Sequence, residues 1–109
     1  MPCLIDRPFS ITAELDGVDA NVTVAGEIAP ATVGTFSTVL LTLAKDGVRR
    51  FVIDAAELTF VDSTAIQALQ RLLAVEGGAE VTINNPPHRL LDLLLATGLD
   101  TLISVDQRP

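Results

Sequence analysis

The chain has 109 residues and a formal net charge of −7, which suits one domain and has the wrong sign for a nucleic-acid surface, where a basic patch must displace counterions. Apolar residues make up 49%, with four Phe and neither Trp nor Tyr; this fits a sheet covered by aliphatic helices and excludes an aromatic cage or a base-stacking platform. Cys3 is the only cysteine, so no intramolecular disulfide forms.

Along the chain, no repeat or linker interrupts a single domain over residues 1–109, with Met1 to Pro8 and Asp106 to Pro109 expected as loose ends around an ordered core of about 8–106. Phe9 to Leu15 alternates apolar and polar residues, the period of a half-buried strand. Asp16-Gly17 is a turn signal, and Ala20 to Ala25 reads as the returning strand of a hairpin, closed by Gly26. From Ala31 to Ala44, Val33, Phe36, Val39, Leu40, Leu43 and Ala44 fall at helical spacing, and Asp46-Gly47 stops that helix. Phe51-Val52-Ile53 is short and continuously apolar, as in a strand buried on both faces. Glu57 to Val61 reads as a connection.

Asp62, Ser63 and Thr64 are all good helix N-cap residues. The helix they open carries Ile66, Leu69, Leu72 and Leu73 on one side and ends at Gly77-Gly78. Val81-Thr82-Ile83 is another buried strand. Asn84 to Pro87 is a turn, with Pro87 suited to a helix start. Leu90, Leu91, Leu94 and Leu95 form the stripe of the next helix, Gly98 its left-handed C-terminal residue, and Leu102 to Val105 the last strand. The order β-β-α-β-α-β-α-β implies an α/β fold: an N-terminal hairpin, then right-handed crossovers, on a mixed, mostly parallel sheet.

One segment carries chemistry: Phe60-Val61-Asp62-Ser63-Thr64-Ala65-Ile66. It follows a buried strand and enters a helix, and in open α/β sheets functional sites gather at the carboxyl ends of strands. A helix N-terminus has unpaired N–H groups and a partial positive charge, so it accommodates a phosphate carried on a hydroxyl. On local chemistry alone the step is most simply a plain helix cap, because capping is what these residues do most often.

The same segment, with Val52-Ile53-Asp54 before it, resembles the signature of the STAS family of bacterial anti-sigma factor antagonists. Gly26-Glu27-Ile28, Gly78-Ala79-Glu80-Val81 and Leu94-Leu95-Ala96-Thr97-Gly98-Leu99 resemble further landmarks of that family, in order, over nearly the whole chain. The resemblance implies a STAS-like fold and a partner-switching cycle. The unphosphorylated antagonist binds an anti-sigma factor of the histidine-kinase-like ATPase type and frees a sigma factor. Phosphorylation by that kinase ends the contact, and a PP2C-type phosphatase resets it. The implied phospho-acceptor is Ser63, with Thr64 as a secondary site. The implied partner surface is Glu27, Asp62, Ser63, Thr64, Ala65 and Ile66. Two positions depart from the family pattern. Its Gly after the hydroxyl pair is Ala65, which favours a helix by about 1 kcal/mol, and its Asp after Gly-Glu-Ile is Ala29.

The alternative within the same resemblance is a STAS-type structural subunit of an ABC lipid-transport complex, docked permanently and without a phospho-switch. A third reading, a Ser63-His88-Asp hydrolase, lacks the Gly-x-Ser-x-Gly elbow. Catalysis, cofactors and metal ions are not expected: His88 reads as a solvated surface residue, and one His and one Cys do not make a zinc site. Arg49-Arg50, Arg71 and Arg89 read as solvated, with Arg71 joining the partner surface if it lies on the exposed side of the second helix. The N-terminus has no basic stretch followed by an apolar run, and no apolar run approaches the ~20 residues of a membrane span. A reduced cytoplasmic compartment, without membrane insertion or direct nucleic-acid binding, is therefore expected, in the regulation of transcription under stress that the resemblance implies.

Overall fold

The computed structural model describes residues 9–106. The calls on Cys3, Met1 to Pro8 and the residues after Asp106 lie outside them. Asp106 itself, expected in a loose end, closes the last strand.

The elements follow the expected order: β1 (Phe9–Asp16), β2 (Asp19–Ile28), α1 (Val33–Lys45), β3 (Arg50–Val61), α2 (Ser63–Leu73), β4 (Glu80–Asn84), α3 (His88–Thr97), a 3-10 turn (Leu99–Thr101) and β5 (Ile103–Asp106). The five strands lie in chain order. β1 is antiparallel to β2, and the remaining pairs are parallel. When each strand pairs with the next in the chain, right-handed crossovers bring all the helices to one face. α1 accordingly packs on α2, and α2 meets α3. The covered face is the core: Ala20, Val22, Val24, Phe51, Ile53, Val81 and Ile83 are buried, while Asn21 and Thr23 on the other face are exposed. Leu40, Leu69, Leu72 and Leu94 close the core from the helices. Each such leucine contributes about 1.5–3 kcal/mol by its burial.

The largest departure from the expected elements is at residues 57–61. They continue β3 rather than forming a connection. Thr23 pairs with Asp54 and Ala25 with Glu57, then Gly26 pairs with Leu58 and Glu27 with Phe60. At each step β3 gains one residue over β2, as in a bulge. The buried positions of β3 therefore shift from every second residue (Phe51, Ile53, Ala55) to every third (Leu58, Val61), and the strand's period is lost from the sequence. Gly26 does not close the hairpin. It sits inside β2 at φ +94°, between the two irregularities.

Arg49 is also not a solvated residue. Its Nη1 donates to the carbonyls of Ala44 at 2.8 Å and Val48 at 2.9 Å, occupying one acceptor in the last turn of α1 and one in the loop that follows it. Arg50 is exposed and pairs with Asp19 at 2.7 Å, a contact worth about 0–1 kcal/mol at such a surface. Leu102, expected in the last strand, precedes it and is 64% exposed. Gly98 takes the left-handed conformation expected of it, at φ +77°.

Candidate functional site

The Asp62 step lies at the carboxyl end of β3, where the chain leaves the sheet and turns into α2. The Asp62 N–H donates to the carbonyl of Ile28 at 3.2 Å, so the turn is tied to the end of β2. Asp62 is extended (φ −127°, ψ −171°) and is the N-cap of α2. Its Oδ1 accepts the N–H of Thr64 at 2.9 Å and the Thr64 hydroxyl at 2.5 Å. A carboxylate here satisfies one of the unpaired N–H groups of the first turn and sits at the positive end of the helix.

This cap separates two hydroxyls that are adjacent in sequence. Thr64 is half-buried and turned onto Asp62, whereas Ser63 is exposed and takes no part in the cap. The helix phase fixes the rest. With Asp62 as cap, Ser63, Gln67, Gln70 and Arg71 face outward, and Ala65, Ile66, Leu69 and Leu72 face the core. Ala65 is 1% and Ile66 4% exposed. Both were expected on the partner surface. They are instead the inward anchors that hold the first turn against the sheet, because they fall on the stripe that buries Leu69 and Leu72.

Glu27 is exposed near the end of β2 and pairs in register with Phe60, itself 48% exposed. The loop that follows is held by Thr32, which sequence reasoning did not single out. Its hydroxyl donates to the Glu27 carbonyl at 2.7 Å and accepts the Ala29 N–H at 3.0 Å. The Ala29 carbonyl in turn accepts the N–H groups of Thr32 and Val33 at 2.9 and 2.8 Å. A hydroxyl residue immediately before an apolar helical stripe was the available signal, although this one reaches back to the loop rather than capping the helix. Ala29 follows Ile28, the residue bonded to Asp62, so the missing family carboxylate falls beside the site.

The structure thus brings Glu27, Asp62, Ser63 and Thr64 to one end of the sheet. His88 lies exposed at the first residue of α3. A cleft of about 420 Å³ lies elsewhere, among Val18, Arg49, Arg50 and the Gly77-Gly78 turn, at the end of the sheet where β3 and β4 begin. No described helix is long and apolar enough to cross a membrane.

A family profile described as "Mlab, STAS domain" matches residues 11–104. No curated protein matches the chain. Among solved structures, the chain is similar to an anti-sigma factor antagonist from Mycobacterium paratuberculosis, with 18% identity over 90% of this chain and 85% of that one, at a TM-score of 0.78. It is also similar to the anti-sigma factor antagonist SpoIIAA in its unphosphorylated form, with 17% identity over 88% and 87% of the two chains and a TM-score of 0.72. The phosphorylated form of SpoIIAA from Bacillus matches at 17% identity over 88% and 90%, with a TM-score of 0.66. At these identities the likeness is one of fold. The profile match, which spans most of the sequence, carries the assignment: the chain belongs to the STAS domain family.

Proposed function

We propose that the chain is an anti-sigma factor antagonist that acts by binding and is switched off at Ser63. The observation that carries this reading is the division of labour at the start of α2. Asp62 engages the Thr64 hydroxyl and leaves the Ser63 hydroxyl exposed on the first turn. A phosphate on Ser63 adds about −1.5 to −2 charges at a helix end that tolerates them, so the fold survives. A partner docked flat on a neutral hydroxyl is repelled. The partner is an anti-sigma factor of the histidine-kinase-like ATPase type, with a PP2C-type phosphatase as the resetting enzyme and the cytoplasm as the compartment. The fold likeness extends to both the unphosphorylated and phosphorylated forms of SpoIIAA, which supports a scaffold that carries either state. Thr64 is a secondary acceptor only if its hydroxyl first leaves Asp62.

The test is binding of purified anti-sigma factors to three proteins. Wild type and Ser63→Ala bind, and Ser63→Asp does not. Equal binding by wild type and Ser63→Asp would sink the switch. Ala29 favours a second reading, because the loop beside Asp62 lacks the family's carboxylate. On that reading the same surface docks permanently, as a structural subunit of an ABC lipid-transport complex, and the chain co-purifies with an ABC ATPase while Ser63 carries no phosphate.

A further inference from the structure

The fourteen Asp and Glu residues are distributed unevenly. Neither α1 (VGTFSTVLLTLAK) nor α2 (STAIQALQRLL) contains one. Both helices nonetheless present an exposed ridge. On α1 it is Gly34, Thr38 and Thr42, with Thr35 beside them, and on α2 it is Ser63, Gln67, Gln70 and Arg71. A helix face that serves only solvent is ordinarily charged, and α3 exposes Arg89 and Asp92. Here the only charges along the two ridges are basic, Arg71 and, at the far end of α1, Lys45.

Between the ridges runs a cleft of about 130 Å³, lined by Val33, Gly34 and Ser37 from α1 and by Thr64, Gln67 and Arg71 from α2. It begins at the first turn of α2, at Thr64. No acidic residue lines it, and the nearby N-cap carboxylate, Asp62, already accepts from Thr64 through its Oδ1.

We infer that the α1–α2 face is a protein-docking platform that extends well beyond Ser63. Its occupant is a protein segment with a carboxylate that pairs with Arg71 and a small apolar side chain that enters the cleft. The charge pattern selects this occupant. Arg50 is paired with Asp19 and Arg49 with backbone carbonyls, whereas the platform offers a carboxylate Arg71 with no acid on either helix. Small uncharged side chains along the α1 ridge, facing the uncharged Gln67 and Gln70 of α2, allow close approach with Arg71 as the one charge to be paired. Arg71 lies eight residues along the helix from Ser63, about 12 Å at the helical rise. That distance exceeds the screening length of about 8 Å at physiological salt, so a phosphate on Ser63 acts by blocking the first turn and leaves most of the pull of Arg71 in place. The inference rests on the binding role proposed above but not on the phosphorylation.

The test uses full-length chain, with purified histidine-kinase-like anti-sigma factors and ABC ATPase subunits from the same genome as probes. Vesicles of equal parts phosphatidylglycerol and phosphatidylcholine serve as a non-protein probe. Arg71→Glu and Thr38→Glu each weaken binding at least about tenfold, and thermal melts confirm that both variants fold. Arg89→Glu on α3, with the same charge change as Arg71→Glu, binds like wild type. Exchanging the partner's carboxylate for lysine restores binding to Arg71→Glu. If Arg71→Glu and Thr38→Glu bind like wild type while Ser63→Asp does not, the platform is wrong and the switch stands. If Ser63→Asp binds and Arg71→Glu does not, the platform stands and the switch is wrong. Binding to the vesicles alone, or to none of the probes, overturns both.

Discussion

Asp62→Ala removes the acceptor that orders the site. Two contacts are lost, the Thr64 N–H bond at 2.9 Å and the Thr64 hydroxyl bond at 2.5 Å. The backbone cap is worth about 1 kcal/mol. The hydroxyl bond adds about 0.5–1 kcal/mol, toward the low end because half-buried Thr64 finds water in its place. The expected loss is about 1.5–2 kcal/mol, read as a lower urea midpoint at unchanged slope or as a fall of several degrees in melting temperature. Thr64→Val isolates the hydroxyl, at about 0.5–1 kcal/mol. In the double-mutant cycle the pair couples by about 0.5–1 kcal/mol, since the hydroxyl bond is lost only once. Asp62→Asn keeps an N-cap oxygen and recovers most of the loss. Asp62→Ala within about 0.3 kcal/mol of wild type, or strictly additive losses, would refute the cap as the element that sorts Thr64 from Ser63.

Ala65→Gly restores the family residue and costs about 1 kcal/mol of helix stability. Because the Ala65 methyl is buried, the rate of phosphate transfer to Ser63 does not change; a faster rate in a quantitative kinase assay would mean the methyl obstructs the kinase. Thr32→Val strips the hydroxyl from the Glu27 carbonyl and the Ala29 N–H and costs about 1–2 kcal/mol. Urea denaturation measures that loss, and partner titration shows weaker binding because the loop beside Asp62 loosens. Gly98→Ala costs about 1 kcal/mol for its left-handed φ alone, since nothing within 4 Å opposes a new Cβ; a melting temperature equal to wild type contradicts that assignment.

The fold was legible where residues repeat with one period. The hairpin, the three helices and the short strands around Ile53 and Ile83 lie where their spacing put them, and their order dictated the crossovers. Leu15 and Leu95, expected on the inward side, are instead 58% and 56% exposed, because β1 lies at the sheet edge and α3 buries only Leu90 and Leu94. Residues 57–61 were not legible, because two added residues move the buried set to Leu58 and Val61. Arg49 was misread for a related reason: its role depends on the end of α1 returning to it, and no local pattern encodes that. At the site, the Asp62-Ser63-Thr64 step was plain from cap chemistry. The sequence does not separate the two hydroxyls, since either can face the cap. Nor does it place Ala65 and Ile66 inward until the cap residue sets the helix phase.

The most direct measurement is mass spectrometry of the Asp62-Ser63-Thr64 peptide after incubating the chain with ATP and the anti-sigma factor kinase proposed as its partner. The account predicts phosphate on Ser63, almost none on Thr64, and release of the phosphorylated chain from the anti-sigma factor. Phosphate on Thr64, or a bound and unmodified Ser63 after complete turnover of a known substrate by the same kinase, would contradict it.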